Sequence, residues 1–220
     1  MEGPTTEPPK PSGSTPNPPL PTICRYSDQR VLSHLRGAGF PARHLAVCDT
    51  QPAGAWLEIA SELIGLLGSG MLCGLIGKRG TGKTFAVVHV GREACGRHVA
   101  LGRDGRPALY RKTMDLFLDV RGTYGHSDRS ERQVLEPYIA TPLLALDEIQ
   151  ERGDTAFEDR LLNYVIDKRY DAKRDTLLIS NLTRAEFAKS VGSSIVSRLT
   201  ECGSVFEFDG IESFRKRNAP

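Results

Sequence analysis

The sequence predicts an α/β fold in which a parallel sheet is flanked by helices on both faces. Short apolar runs typical of buried strands alternate along the chain with longer segments of helical periodicity. One such run, MLCGLI at 71–76, leads directly into the glycine-rich loop GKRGTGKT at 77–84, and a helical segment follows that loop. This alternation indicates parallel strands, because two parallel strands need a crossover element between them.

The chain before the loop contains a proline-rich leader and a short helical region. Residues 1–22 hold eight of the fourteen prolines, mixed with Ser, Thr and Gly, and such a segment is predicted to be disordered because it cannot bury a core. Residues 23–69 are predicted to form a short helical N-terminal region. One of its helices ends at the segment GAGFP, and another runs from about Ala53 to Leu67. The main domain is predicted at 70–220.

Strands and helices then alternate to the end of the chain. A helix starts after Lys83, and a second helix, TMDLFLDVRGTY, follows the next strand. The amphipathic helix at 155–172 carries five residues on one side, namely Phe157, Leu161, Tyr164, Val165 and Lys168. Two short helices precede the last strand. The strands after the loop are predicted at PALYRK (107–112), PLLALD (142–147), DTLLISN (175–181) and SVFEF (204–208).

Composition restricts the class of protein. The 220 residues are 39% hydrophobic and 25% charged, as in a soluble globular protein, and no apolar run approaches the ~20 residues of a membrane helix. With a net charge of +2, binding to nucleic acid would require a local basic patch. The five cysteines form an odd set without a CxxC pair, which predicts reduced thiols in a cytoplasmic protein rather than a disulfide framework or a zinc site.

The loop after the first strand matches the P-loop pattern G-x-x-x-x-G-K-T. Its glycines let successive backbone N–H groups point at phosphate oxygens, and the following helix adds the positive end of its dipole. Lys83 would reach the β- and γ-phosphates of ATP, and the Thr84 hydroxyl would bind Mg²⁺. The predicted cofactor-binding residues of the loop are Gly77, Lys78, Arg79, Gly80, Thr81, Gly82, Lys83 and Thr84.

An acidic pair ends the buried strand PLLALD. Asp147 and Glu148 would lie at the carboxyl edge of the sheet, where open α/β sheets bind their ligands. Asp147 would hold Mg²⁺ through water, and Glu148 would polarise the water that attacks ATP. Because a small-molecule kinase does not need the adjacent pair, the pattern favours an ATPase.

Three further polar residues extend the predicted site. Asn181 follows the strand LLIS, where its amide could bind the attacking water or the γ-phosphate, although such an Asn is also a common turn residue. Arg198, in SSIVSRLTECG, offers a cationic fork for transition-state charge, and Arg215 lies in the basic segment ESFRKR. For each arginine, a solvated position at a helix end or in a basic tail is an equal alternative.

Taken in this order, GKRGTGKT, LLALDE, LLISN, SRL and FDGIESFR resemble the motifs of the AAA+ ATPases of the DnaC/IstB group. That group includes replicative-helicase loaders and transposition helper ATPases. The segment LRGAGFPARH is similar to the GIP-x-R segment ahead of their ATPase core. The resemblance covers about residues 30–217 and implies an AAA+ ATPase domain at 70–220 without a clear C-terminal lid domain.

The resemblance also implies roles and partners. The catalytic residues would be Glu148, Asn181 as sensor 1, and Arg198 as an arginine finger that reaches a neighbouring subunit's nucleotide. Arg215 would contact nucleotide in sensor-2 fashion, although Phe214 stands where the group has Tyr. The cofactors would be ATP and Mg²⁺ in a homo-oligomer, and the partners a replicative helicase and single-stranded DNA. The alternatives are a transposase with duplex DNA, then a monomeric nucleotide-binding protein or small-molecule kinase.

Contacts with DNA are expected from basic and polar loops, in the cytoplasm of a bacterium or a phage-infected host. Phosphate contacts combined with one stackable ring would suit sequence-tolerant binding, and solvated basic loops are the alternative interpretation. The candidate contacts are Arg97, Arg103, Arg106, Arg111, Lys112 and the segment 121–132, which contains Tyr124 and His126.

Overall fold

A single five-stranded parallel sheet organises the chain, with the strands in the order β2-β3-β4-β1-β5. The structure is a computed structural model that describes residues 29–47, 54–103, 105–124, 129–153 and 155–208. The three central strands are short and almost wholly buried, as a sheet covered on both faces requires. The strands are β1 (Leu72–Ile76), β2 (Ala108–Lys112), β3 (Leu143–Asp147), β4 (Asp175–Ile179) and β5 (Val205–Glu207).

Helices cover both faces of this sheet, which confirms the predicted fold class. One apolar layer joins the sheet to α1, α3 and α4, and the other joins it to α5, α6, α7 and α8. The helices are α1 (Gln29–Gly37), α2 (Ala42–Val47), α3 (Ala55–Leu66), α4 (Lys83–Ala100), α5 (Thr113–Arg121), α6 (Glu131–Ala140), α7 (Ala156–Asp171) and α8 (Arg184–Cys202).

Strand order determines which loops meet. Because β4 lies between β1 and β3, the residues that follow these three strands lie side by side at the carboxyl edge of the sheet. The outer edge of β2 is joined to the segment between α1 and α2, since the Tyr110 N–H donates to the carbonyl of Ala38 at 2.9 Å. The short N-terminal helices are thereby attached to the edge of the sheet.

Buried polar residues fix the opposite, amino edge of the sheet. Asp175 accepts backbone hydrogen bonds from Gly68, Gly70 and Met71 at 2.6, 2.9 and 3.1 Å, which ties the start of β4 to the segment before β1. The Arg169 side chain is fully buried and donates to the Thr176 hydroxyl and to carbonyls at the ends of α6 and the starts of β3 and β4. A buried guanidinium is tolerated here because its donors are satisfied.

The buried face of α7 differs from the predicted one. Tyr164 is 45% exposed and Lys168 faces solvent, whereas Leu162, Ile166 and Arg169 are buried. The predicted buried face was therefore wrong in part. A search for apolar periodicity does not find Arg169, because a charged residue is not part of an apolar pattern even when it is buried. The two short helices predicted before the last strand correspond to α8, which is broken at Gly192 by a φ of 82°.

The described cysteines are free thiols. Cys73 and Cys95 are buried, and burial raises their pKa to about 11 and about 12 respectively, so both remain protonated. Cys24 and Cys48 lie outside the described residues, as do the leader at 1–22 and Arg215. Across the described ranges, the structure contains no helix that is long and apolar enough to cross a membrane.

Candidate active site

An open cavity of about 630 Å³ lies at the carboxyl edge of the sheet, beside the ends of β1, β3 and β4. Its volume is in the range of small-molecule and cofactor sites. Eight of the thirteen residues predicted for the site line this cavity: Arg79, Gly80, Gly82, Lys83, Thr84, Asp147, Glu148 and Asn181. The structure therefore brings together motifs that are about 100 residues apart in the sequence.

The glycine-rich loop has the backbone conformation that phosphate binding needs. Gly77 and Gly82 have φ values of 127° and 101°, which favour glycine. A Cβ atom on Gly82 would also lie 2.9 Å from the Cβ of Trp56, so a side chain there would collide with α3. Gly82 precedes the 18-residue helix α4, whose first three residues line the cavity. The free N–H groups and the positive dipole end of a helix start favour an anion.

Lys83 is buried against its own loop. Its ammonium donates to the carbonyls of Gly77 and Lys78, the latter at 2.8 Å. The Thr81 hydroxyl donates to the same Lys78 carbonyl at 2.9 Å. Gly77, Lys78 and Thr81 thus shape the loop without lining the cavity, while Arg79 reaches its rim and pairs with Glu151 at 3.0 Å.

Asp147 is held by the edge strand β2. The buried Tyr110 hydroxyl donates to its Oδ2, the Glu148 N–H donates to its Oδ1 at 2.7 Å, and the Thr113 hydroxyl donates to its carbonyl at 3.0 Å. Burial raises the pKa of Asp147, and the hydrogen bonds from Tyr110 and Glu148 oppose that shift. Burial, with the charge of Asp147, raises the pKa of Tyr110, so the phenol remains a donor.

Glu148 directs its carboxylate toward the same edge strand. Its backbone has a φ of 58°, a conformation that is uncommon outside glycine and that is frequent at functional sites. Its Oε2 lies 2.8 Å from the Lys112 ammonium, and its side chain is 30% exposed. Lys112 stands directly opposite Asp147 in the β2–β3 register. The carboxylate is therefore restrained by the Lys112 ammonium and accessible to water.

Gln150 connects the acidic pair to the end of β4. Its Oε1 accepts hydrogen bonds from the Ser180 hydroxyl at 2.9 Å and from the Asn181 N–H at 3.1 Å. Asn181 and Glu148 both line the cavity. The binding of a water molecule or a phosphate oxygen by the Asn181 amide stays a prediction.

The cavity fits a nucleotide bound with Mg²⁺. Thr84 and Asp147 line it together with Lys83, so one hydroxyl and one carboxylate face the place where the loop would hold phosphates. Among the described residues no group of three His, Cys, Asp or Glu could hold a metal unaided. A cation in this cavity would therefore take most of its ligands from phosphate and water, which is the usual arrangement for Mg²⁺.

Five lining residues were missed by sequence reasoning. Arg43, His44 and Val47 come from α2, Phe85 comes from the first turn of α4, and Ile179 is the last residue of β4. The His44 and Phe85 rings meet edge to face with centroids 4.7 Å apart. These residues form a partly apolar wall suited to a nucleotide base. The segment GFPARH at 39–44 contains Arg43 and His44 and resembles the DnaC/IstB group. It is the part of the sequence that could have predicted this wall.

Arg198 lies outside the cavity of its own chain. Its Nη2 is 3.0 Å from Asp167 Oδ1, and its Nη1 donates to the Ser194 carbonyl at 3.0 Å. The guanidinium carbon is 5.3 Å from the centre of the Tyr170 ring. The role of Arg198 as an arginine finger therefore stays a prediction. Arg215 cannot be placed because it is outside the described residues.

The basic residues considered for DNA differ in their surroundings. Arg97 pairs with Glu93 at 2.8 Å near the end of α4, and Lys112 is engaged by Glu148 in the active site. Tyr124 is 54% exposed beside Phe157, and His126 lies outside the described residues. Arg106 and Arg111 line a separate cleft.

Replacing Tyr110 with phenylalanine is expected to raise the Mg²⁺ concentration needed for nucleotide binding by about 10–100-fold, since loss of a hydrogen bond to a metal-binding carboxylate weakens metal sites by that factor. The phenyl ring keeps its packing against Phe40, whose centroid is 5.4 Å away. The measurement is a Mg²⁺ titration of the fluorescence of a bound ATP analogue. Tyr138→Phe is the matched control, because that hydroxyl bonds Asp119 outside the cavity. Equal Mg²⁺ requirements in both variants would contradict the role given to Tyr110.

Comparison with known proteins identifies similarity along most of the chain. Residues 71–219 match the model of a family described as IstB-like ATP binding protein. The replicative helicase loader DnaC of Escherichia coli (strain K12) is 27% identical over 141 residues, which make up 64% of this chain and 55% of DnaC. The chain thus spans about half the length of the curated relatives that it matches.

Two solved structures share the fold. The crystal structure of the DnaC helicase loader has a TM-score of 0.60 at 21% identity and covers 76% of this chain and 99% of that chain. The replication initiator DnaA bound to AMPPCP and single-stranded DNA has a TM-score of 0.59 at 21% identity, with 77% and 50% covered. At these identities the likeness establishes the fold, which is the predicted AAA+ P-loop fold.

Proposed function

The chain belongs to the family of IstB-like ATP binding proteins, and on that premise we propose that it is an ATPase that loads a replicative helicase onto DNA. The observation that carries the proposal is the meeting of the P-loop, the acidic pair and Asn181 in one cavity. The similarity to a named helicase loader supports the choice of partner. The proposed location is the cytoplasm of a bacterium or a phage-infected host.

ATP would be held by the loop and the first turn of α4. Backbone N–H groups of the loop and the Lys83 ammonium would surround the β- and γ-phosphates, with Lys83 exchanging its loop carbonyls for phosphate oxygens. The Thr84 hydroxyl and the Asp147 carboxylate would hold Mg²⁺, which neutralises phosphate charge. The wall formed by Phe85 and α2 would receive the base.

Hydrolysis would depend on Glu148 as the base that orients the attacking water and accepts its proton. Its pairing with Lys112 holds the carboxylate at one side of the cavity, and release from Lys112 would give it access to a water beside the γ-phosphate. Asn181 would bind that water or the γ-phosphate without adding negative charge. The active site would be completed by Arg198 of a neighbouring subunit in a homo-oligomer.

A transposition helper ATPase is the second candidate function. The description of the matched family as IstB-like supports it, because the same ATPase core would then act with a transposase on duplex DNA. Both candidates require the same nucleotide chemistry, so the active site does not distinguish them. The partner protein does.

Retention of a partner protein provides the deciding experiment. The immobilised full chain with AMP-PNP and Mg²⁺ is expected to retain a purified replicative helicase and to release it with ADP, since ATP would stabilise the assembled state. Lys83→Ala protein should retain little helicase in either nucleotide. Lys189→Ala, a change at an exposed lysine of α8 outside the nucleotide cavity, serves as the control. Retention of a transposase with no retention of the helicase would favour the helper and exclude the loader.

A further inference from the structure

An open groove of about 900 Å³ lies between α6 and α7 and shares no lining residue with the nucleotide cavity. Both helices contribute apolar side chains to it, namely Leu135, Ile139, Phe157, Leu161 and Tyr164. The proposed ATPase chemistry uses neither this groove nor the proline-rich leader. We propose that the α6–α7 groove binds residues 7–11, EPPKP, of the chain's own leader.

Aromatic rings make the α6–α7 groove suitable for prolines. Tyr164 is 45% exposed, and Phe157 is half-buried on the same helix. The ring of Tyr124, which is 54% exposed, lies beside Phe157 with the centroids 6.3 Å apart and extends the aromatic surface. Proline-rich segments are commonly recognised in grooves lined by aromatic rings. The groove therefore has the side-chain chemistry that such a segment needs.

The length of the α6–α7 groove matches a short polyproline segment. Its lining residues on α7 run from Phe157 to Lys168, which is about 17 Å along the helix axis. A polyproline II segment advances about 3.1 Å per residue, so about five or six residues fill that length. With about three residues per turn, Pro8 and Pro11 would share one face of the segment and could meet the rings together.

Charge complementarity selects residues 7–11 within the leader. Lys10 is the only basic residue of the leader, and Glu7 would lie on the same face of a polyproline II segment. The proline run at 16–21, PNPPLP, has no charged residue. The α6–α7 groove offers exposed groups of both signs that form no ion pair within the described ranges: Glu131, Arg132, Glu136, Arg160 and Lys168.

The leader is long enough to reach the α6–α7 groove. Pro11 is eighteen residues before Gln29, the first residue of α1, and a chain of that length can span up to about 60 Å. A domain of this size is only about 40 Å across, so both faces of the sheet are within reach. Tethering also gives the leader a local concentration in the millimolar range, so a weak contact is sufficient for binding.

The first test locates Lys10 in the full-length protein. Wild-type protein is treated with a carbodiimide, which joins a lysine amine to a carboxylate in contact with it, and the cross-links are identified by mass spectrometry. Lys10 is expected to be joined mainly to Glu131 or Glu136. Glu58 and Glu62, two exposed carboxylates of α3 in the other helical layer, are the controls and should give few cross-links. Equal yields at both places would overturn the proposal.

Isotope labelling distinguishes the chain's own leader from that of a second copy. Cross-linking is repeated on an equal mixture of unlabelled and ¹⁵N-labelled protein. The cross-links of Lys10 are expected to join residues of the same isotope, because the segment and the groove belong to one chain. Abundant mixed cross-links would show that the groove receives the leader of another molecule and would contradict binding within one chain.

Replacing Tyr164 with serine is expected to weaken binding of the segment by about tenfold, as loss of an aromatic anchor does at other interfaces. The yield of cross-links from Lys10 to α6 should fall accordingly. The change should leave the fold intact because the side chain is half exposed. Leu101→Ser is the matched control, since Leu101 is 62% exposed at the end of α4 and outside the groove. Equal yields in the two variants would exclude the α6–α7 groove.

Competition by a separate peptide provides a second readout. A fluorescein-labelled peptide of residues 1–22 is titrated into wild-type protein and into protein in which Pro8, Pro9 and Pro11 are alanine. If the leader binds with a dissociation constant of about 0.1 mM, its tethered copy should weaken peptide binding to wild-type protein by about tenfold relative to the leader variant. The leader variant changes no residue of the described domain. Equal affinities would show that the tethered leader does not occupy the groove.

Failure of this proposal leaves the proposed function intact. The α6–α7 groove is separate from the nucleotide cavity, so Tyr164→Ser protein should hydrolyse ATP and retain the helicase as wild-type protein does. If the peptide binds neither protein and Lys10 forms no cross-link to α6, the groove does not bind the leader. Loss of ATP hydrolysis in Lys83→Ala protein with unchanged Lys10 cross-links would show that the two sites act independently.

Discussion

Replacing Glu148 with glutamine is expected to lower kcat for ATP hydrolysis by about 10²–10⁴-fold, the usual contribution of a positioned general base. Glutamine has the same shape as glutamate and its amide oxygen can still accept a hydrogen bond from Lys112, so the fold and the ATP affinity should change little. The two quantities are measured separately, as single-turnover hydrolysis and as equilibrium binding of a fluorescent ATP analogue. A protein that binds ATP without hydrolysing it is the expected result.

The matched control for this change is Glu151→Gln. Glu151 lies three residues later, is exposed and pairs with Arg79 at the rim of the cavity, so its replacement removes the same charge near the same site. Hydrolysis by this variant should remain close to the wild-type rate. If Glu148→Gln also hydrolysed ATP at the wild-type rate, another group would have to activate the water and the assignment of Glu148 would fail.

Local sequence was sufficient to predict that the P-loop, Asp147 and Asn181 meet in one cavity. The P-loop is a contiguous pattern, and Asp147 and Asn181 each follow a recognisable apolar strand. The general rule that parallel strands place their ligands at the carboxyl edge then brings these residues together. No knowledge of side-chain contacts was required, because the direction of the strands and the residues at their ends were sufficient.

The groups that hold this centre in place depend on non-local register, which one sequence does not reveal. Tyr110 and Lys112 reach Asp147 and Glu148 only because β2 pairs with β3 so that Lys112 lies opposite Asp147. In the sequence they belong to an ordinary strand, and Lys112 was considered for DNA. Gln150 likewise gains its role from the neighbouring end of β4. The structure thus reveals the residues that contact Asp147, Glu148 and Asn181 and hold them in place.

The present position of Arg198 has a consequence for assembly. It is bound to Asp167 and Ser194 beside the Tyr170 ring, and it does not line the cavity of its own chain. To act on ATP it would have to meet the cavity of a neighbouring subunit, where the cation would stabilise charge on the transferred phosphoryl group. An exposed ion pair such as that with Asp167 contributes only about 0–1 kcal/mol. Replacing it with a contact to phosphate therefore costs little free energy.

Replacing Arg198 with alanine is therefore expected to reduce ATP hydrolysis by about 10³-fold or more, as for other arginines supplied in trans, while each subunit still binds ATP. Mixing Arg198→Ala protein with Lys83→Ala protein should restore part of the activity, because the Lys83 variant offers its intact Arg198 to the intact nucleotide site of its neighbour. Arg184→Ala, in the first turn of the same helix, is the control and should hydrolyse ATP normally. If the mixture stays as inactive as its components, Arg198 does not act between subunits. If Arg198→Ala alone retains full activity, the active site is complete within one chain, as a monomeric nucleotide-binding protein or a small-molecule kinase would require.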